Sequence, residues 1–282
     1  MTAQSAAPLA LDPRTAAPPR TAPRRGRGLI TGGRLAIGLV LLGLWQAGSA
    51  TGVLSPLFFG RPERIAAVIY EWFRTGEIWP HLAVTTAETL MAFATGTVGG
   101  VLAGLWLGLS PRTQAVLDPY VKAMNAMPRV ILAPIFSMWF GLGMASKVAL
   151  GFTLVFFIVF FNVLQGVREV SPTVLNATRM LGASRRQLLR HVYLPAALSW
   201  VFSSLHVSVG MAFVGAVIAE YLGSAAGVGY LILQAEGVFD VDTVFAGIVV
   251  LTGCALVLDA GVSLAENRLL VWQPRADTPR DT

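Results

Sequence analysis

Six stretches of this chain are long enough and apolar enough to cross a lipid bilayer, and that leaves few folds open. A spanning helix needs about 20 predominantly apolar residues. Such runs fall at roughly 35–54, 86–109, 115–140, 147–166, 197–220 and 243–265. Inside a bilayer no water can satisfy backbone N–H and C=O groups, so each run must close its own hydrogen bonds as a helix. The expected fold class is therefore an all-α integral membrane protein with about six transmembrane helices. Charged residues are 13% of the chain, well below the ~25% of a soluble domain.

The segments around these runs divide the chain. Residues 1–33 are rich in Ala, Pro, Thr and Arg and lack the apolar surface to offset chain entropy, so they read as a disordered tail. Residues 34–272 form the membrane domain, and 273–282 a short polar tail. Arg24-Arg25 before the first run resembles a twin-arginine signal. The uncharged run Leu35–Leu54 is long for a signal peptide and more spans follow, so it reads as an uncleaved first span. Between the first two runs, Ile65, Val68, Ile69, Trp72 and Phe73 recur at helical spacing. That predicts a short amphipathic helix lying at the membrane interface.

Charge sets the orientation. With both termini inside, sixteen of the 21 Lys and Arg residues lie on the inner side and four (Arg61, Arg64, Arg74 and Lys147) on the outer, with Arg129 inside the third span. Basic residues stay on the cytoplasmic side, so both termini are expected there. The same distribution explains the net charge of +6 as a topology signal and argues against nucleic acid as a partner. The single cysteine, Cys254, excludes an intramolecular disulfide. In the second span Gly96, Gly100, Gly104 and Gly108 repeat every four residues, with Gly99 beside them. Small residues at this spacing let helix backbones approach closely. The spacing leaves open whether the partner helix belongs to this chain or to another.

The basic loop 168–195, between the fourth and fifth spans, has its own structure written in. Ser171-Pro172 supplies an N-cap and a first-turn proline. Val174, Ala177 and Leu181 make a narrow apolar stripe. Gly182 is placed to end that helix in a left-handed conformation. Ser184-Arg185-Arg186-Gln187 is a capping box for a second short helix. Pro195 is expected to mark the start of the next span. The loop is thus a helix, a sharp turn and a helix, presented at the cytoplasmic face.

At these residues the chain resembles the transmembrane subunits of ABC importers. Their cytoplasmic signature is Glu-Ala-Ala, three residues, Gly, nine residues, Ile, one residue, Leu-Pro. The match here is Asn176-Ala177-Thr178, Gly182, Val192 and Leu194-Pro195, with every spacing kept. Asn176 replaces the Glu and can hydrogen-bond without a charge; Thr178 replaces the second Ala and Val192 the Ile. Thr75-Gly76-Glu77-Ile78-Trp79, Trp139-Phe140-Gly141-Leu142-Gly143, Ala219-Glu220-Tyr221-Leu222-Gly223 and Arg268-Leu269-Leu270-Val271-Trp272 are similar to the nitrate, taurine and sulfonate branch of these permeases. The resemblance covers about Ser55 to Trp272.

What it implies is concrete. The loop becomes a coupling helix, and Asn176, Ala177, Thr178, Leu181, Gly182, Ala183, Ser184, Arg185, Leu194 and Pro195 become candidates for contact with an ATPase. Two permease subunits, expected as a homodimer, would form one pore. Two cytoplasmic ATPases would bind the coupling loops and hold ATP and Mg²⁺, and this chain would bind no cofactor. An extracytoplasmic solute-binding protein would deliver the solute. The expected location is the bacterial cytoplasmic (inner) membrane, with membrane lipids around a multi-pass chain. The implied solute is small, of the nitrate, sulfonate or taurine kind, with other small organic solutes and vitamin precursors as the alternative.

The residues themselves point away from catalysis. There is no GxxxxGK[ST] phosphate loop; Gly141 to Lys147 resembles one only faintly. His81, His191 and His206 are far apart in sequence, so no metal site or nucleophile–base pair is expected. A secondary transporter would need buried carboxylates at mid-depth. The candidates Glu88, Glu220 and Asp259 fall towards the ends of the expected spans. Candidates for the solute pathway are Arg129, Ser203, Ser204, Ser208, Met211 and Glu220. Arg129 sits between Pro128 and Pro134 in the broken third span, where a charge is a functional hypothesis by default. It suits an anionic solute, or a pairing with a neighbour. Glu220 either caps the loop Gly223–Gly229 or lines an outer gate.

Overall fold

The computed structural model describes residues 26–269. The proline-rich residues 1–25, Arg24-Arg25 among them, and residues 270–282, which include Trp272 and the polar tail 273–282, lie outside the described residues. Among the described residues every regular element is helical. In chain order these are α1 (Gly26–Ala50), α2 (Pro56–Phe59), α3 (Pro62–Thr75), α4 (Ile78–Gly108), α5 (Pro111–Ala126), α6 (Leu132–Phe140), α7 (Met144–Arg168), α8 (Pro172–Met180), α9 (Arg185–Leu188), α10 (Leu194–Leu222), α11 (Val228–Gly237) and α12 (Val241–Leu269). A 3₁₀ turn precedes α6 and a π turn, Leu189–Tyr193, joins α9 to α10. α1 begins at Gly26, so it takes in the last residues of the expected tail 1–33.

Five helices among the described residues are long and apolar enough to cross a membrane. They match five of the six expected spans. The expected third span, 115–140, is not one helix. α5 stops at Ala126, Met127 is extended (φ −65, ψ 133), and the chain restarts through the 3₁₀ turn into the nine-residue α6. Pro128 forces this, because its ring excludes the helical region for the residue before it. Pro134 does not break anything: it lies in the first turn of α6, where a missing N–H is harmless.

The core is a three-helix stack of α4, α7 and α10. The glycine row of α4 packs on α7 of this same chain, which settles the question left open by spacing. A Cβ built on Gly96 would lie 2.7 Å from Val155 Cβ, and on Gly104 2.8 Å from Val163 Cβ. On Gly100 it would lie 2.8 Å from both Phe156 O and Val159 Cβ. Val155, Val159, Val163 and Val167 form a ridge with a period of four, and the glycines are its groove. α7 meets α10 through Gly151, one turn before Val155 on the same row, and Gly215, where a Cβ on Gly215 would fall 2.7 Å from Gly151 Cα. Close backbone contact replaces the hydrophobic drive that lipid cannot give.

The expected amphipathic helix is α3. Its apolar face covers α12: Ile65 and Trp72 are buried with Ala246, Val250 and Leu251, and Val68 and Ile69 pack beside them. Phe73 stays exposed. α1 is attached near its end by Ser49 Oγ donating to Gly60 O at 2.8 Å and by Trp45 edge-on to Phe245.

Candidate functional site: a capped hairpin and a buried charge cluster

The loop after α7 folds as its caps dictate. Pro172 opens α8, although Ser171 at the N-cap makes no side-chain cap bond. Gly182 takes φ +78. Its N–H donates to Arg179 O at 3.0 Å and the Ala183 N–H to Thr178 O at 3.1 Å. Together these two bonds complete a Schellman motif. Ser184 Oγ accepts from the Gln187 N–H at 3.3 Å, and Gln187 Oε1 accepts from the Ser184 N–H at 2.8 Å. The expected capping box is therefore complete.

Pro195 lies in the first turn of α10, but no break separates α10 from α9. The chain is helical without interruption from Arg185 to Leu222. The π turn absorbs the proline: the Leu194 N–H reaches back five residues to Leu189 O. Widening the turn makes room for the Pro195 ring against the preceding carbonyls.

Among the described residues the apolar stripe of α8 is left largely uncovered. Val174 is exposed, and Met180 and Leu181 are 89% and 87% exposed at the tip. Asn176, Ala177 and Arg185 are exposed as well, while Thr178, Ala183 and Leu194 are half-buried. A cleft of about 270 Å³ lies in the crook, lined by Thr178, Leu181, Gly182, Ala183, Gln187 and Leu188 among others. The structure thus brings the candidates from Asn176 to Arg185 together on one projecting hairpin, with Leu194 and Pro195 beyond it in the first turn of α10.

The pathway candidates are not gathered in the same way. Arg129 sits in the break before α6. Its guanidinium donates to Asn125 O at 3.0 Å and to Asn125 Oδ1, and lies over the Phe157 ring at 4.6 Å. Ser204 and Ser208 are buried between helices, and Ser204 Oγ donates to Val201 O at 2.8 Å. Ser203 is exposed and Met211 half-buried. An apolar cavity of about 790 Å³ lies elsewhere, between α3, α4 and α12, and its lining includes none of these residues.

At the end of the bundle away from the hairpin, the structure shows a cluster that spacing alone missed. Glu88 from α4, Lys147 from α7 and Glu220 from α10 are all buried, together with Thr85 and Thr89. Glu220 accepts from Thr85 Oγ1 at 2.6 Å and from the Gly229 N–H at 2.8 Å. Lys147 donates to Leu142 O and, at 2.8 Å, to Gly223 O. Glu220 therefore holds the loop Gly223–Gly229, one of the two roles expected for it. Lys147 is not a free loop charge. Glu88 looked like a span-end residue because the second span was expected to begin near 86; α4 begins at Ile78, which places Glu88 about three turns inside it.

A second ionic group joins α10 to α12. His206 Nδ1 lies 2.8 Å from Asp259 and Nε2 lies 2.9 Å from Glu266. Among the described residues no His, Cys, Asp and Glu group is arranged to hold a metal ion.

Residues 96–271 match the family of binding-protein-dependent transport system inner membrane components. The chain belongs to this family. It is 33% identical over 234 residues to a Bacillus subtilis (strain 168) protein described as the aliphatic sulfonates transport permease SsuC, covering 83% of this chain and 85% of that one. It is 31% identical over 238 residues to the taurine transport system permease protein TauC of Escherichia coli (strain K12), covering 83% and 86%. In fold it is similar to a chain of the MetNI methionine ABC transporter solved in an inward-facing conformation. That likeness has a TM-score of 0.58 at 18% identity, over 68% of this chain and 95% of that one. The permease is thus of the aliphatic-sulfonate and taurine branch, and its long apolar helices are those of a multi-pass membrane protein.

Proposed function

We propose that this permease is the translocation subunit of an ATP-driven importer in the bacterial cytoplasmic membrane, with the broken α5–α6 segment as its sixth crossing and both termini and the α8–α9 hairpin in the cytoplasm. It works as a homodimer with two separate ATPase subunits and an extracytoplasmic solute-binding protein. ATP and Mg²⁺ are held by the ATPases, and this chain does no chemistry on them. The observation that carries this is the hairpin itself: a rigidly capped knuckle whose Met180 and Leu181 are almost fully exposed. Exposed apolar residues on a structured projection mark a protein contact. ATP-driven closure of the ATPases would move the two knuckles together and switch the helices between two access states, a coupling free energy between distant sites.

The solute is a small sulfonate, taurine or nitrate-like compound with an anionic group; the sulfonate and taurine readings are in keeping with the relatives' names. Arg129 supports an anion, since its Nε is buried without a hydrogen-bond partner. Another small organic solute or vitamin precursor is the alternative; solute binding by the cognate binding protein discriminates the two. The coupling claim is tested by purifying the permease with its ATPase after replacing residues 172–183 with a flexible linker. Loss of co-purification and of uptake is expected. An intact complex that still transports overturns the proposal.

A further inference from the structure

The apolar cavity of about 790 Å³ between α3, α4 and α12 belongs to neither the hairpin nor the charge cluster. It is a slot that follows the helices. Its walls run on α4 from Trp79 to Leu90 and on α12 from Val249 to Val257. The α4 wall is about 16 Å long at 1.5 Å per residue. That is about half of the ~30 Å hydrocarbon core of a bilayer, the depth that the tails of one leaflet fill. Small residues keep the slot open. α4 presents Ala83 and Ala87, one turn apart, and α12 presents Gly253, where an added Cβ would meet nothing within 4 Å. α12 is held to the bundle by α3, α10 and α11. Towards α4 it faces the slot, bridged where Thr86 Oγ1 and Cys254 Sγ lie 3.7 Å apart.

The lining chooses hydrocarbon. Thr86 and Cys254 are turned to each other, and no charged side chain lines the slot. Among the described residues, none of the buried side-chain atoms left without a hydrogen-bond partner lies in it. An anionic solute would lose its water there and gain no partner. Left empty, the walls would forfeit dispersion contacts. Around a multi-pass membrane protein, the medium that can reach such a slot is lipid.

The end of the slot away from the hairpin carries the marks of a membrane surface. The amphipathic α3 crosses it and contributes Ile69 and Phe73. Phe73 meets Trp79 edge to face, with ring centroids 5.3 Å apart, and both rings are exposed. Tryptophan settles at the level of lipid head groups, and amphipathic helices lie in the same plane. The mouth is therefore at head-group level and the slot descends from it into the hydrocarbon.

We propose that this slot is a binding site for one acyl chain of a membrane phospholipid, drawn from the leaflet opposite the hairpin. The head group stays beside Trp79, and the tail runs down between α4 and α12 past Ala83, Ala87 and Gly253. The tail supplies the packing between α4 and α12 that the chain itself leaves out, so the lipid is a structural ligand of the permease.

The test is photolabelling of the full chain in lipid bilayers. The probe is a trace of phosphatidylethanolamine with a diazirine midway along one acyl chain, and adducts are mapped by peptide mass spectrometry. The exposed Leu39, Leu41 and Leu44 of α1 report ordinary lipid contact. Adducts on the lining segments of α4 and α12 should exceed those on α1 several-fold. Gly253→Leu, which puts a side chain into the slot, should bring the lining down to the α1 level and leave α1 unchanged. Ala87→Leu fills the slot from the opposite wall and takes its place if Gly253→Leu does not fold. Equal labelling of lining and α1 in the parent overturns the site, a reading that needs no variant. Lining that stays unlabelled in the parent while Gly253→Leu disperses permease dimers also overturns it, and gives the slot to a second copy of the chain.

Discussion

A valine at position 182 would find space for its side chain but not for its backbone. No atom lies within 4 Å of a Cβ built there, yet φ is +78. A left-handed residue with a branched side chain is disfavoured by about 1–2 kcal/mol. That is too little to unfold the bundle, and it falls wholly on the turn between α8 and α9. Gly182→Val should therefore insert and assemble normally but lose solute uptake while the ATPase still turns over. Parallel uptake and ATPase assays in proteoliposomes check this, and normal uptake would contradict the hairpin's role. Arg129 gives a second case. Gln at 129 can keep a hydrogen bond to Asn125 but drops the charge and the unpartnered Nε. Uptake of an anionic solute should fall several-fold with the amount of complex unchanged; equal uptake would remove Arg129 from the pathway. At this scale the sequence was legible where a residue's conformation is local. Gly182 and the Ser184–Gln187 box were readable because caps and left-handed turns are decided within a few residues. Glu88, Lys147 and Thr85 were not, because they gather around Glu220 only once α4, α7 and α10 are stacked.

The contact between α4 and α7 is the element that holds the bundle. Its groove has no slack at Gly100, where an added Cβ would lie 2.8 Å from the Phe156 carbonyl and 3.0 Å from the Phe160 N. Backbone cannot yield as a side-chain end can, so Gly100→Val should be more damaging than the ~1–3 kcal/mol of ordinary overpacking. The expected result is a protein that reaches the membrane but fails to give a monodisperse complex, as size-exclusion chromatography in detergent would show. Gly99→Ala is the matched control, since a Cβ there meets only the rim of the Phe152 and Phe156 rings at 3.2 Å and beyond. The four-residue glycine period was visible in the sequence; the valine ridge opposite was not singled out, because valine in an apolar run carries no distinguishing signal. Spans were readable for the same reason that the third failed: hydropathy averages over the Met127-Pro128 break, which is set by one proline's sterics.

Across the whole molecule, one helical rod connects the two ends. From Arg185 to Leu222 it is 38 residues long, about 57 Å at 1.5 Å per residue. The capped hairpin sits at its start, and the loop 223–229 with the charge cluster at its finish. A rod of this kind can pass a rotation or a thrust only if its phase is fixed, and the phase is fixed by the π turn at Leu189–Tyr193. A π turn accommodates one extra residue, so converting it to α-helix would turn the hairpin by about 100° relative to α10. Pro195 is the residue that favours the wide turn, because its ring crowds the carbonyl four residues back. Pro195→Ala removes that pressure. The expected phenotype is a complex of normal abundance in which the ATPase is less responsive to solute-loaded binding protein and uptake drops. Measuring the ratio of solute moved to ATP hydrolysed separates this from simple loss of protein. If Pro195→Ala keeps the parental ratio, the phase of the rod does not matter, and force must reach the opposite end through α7 and its valine ridge instead.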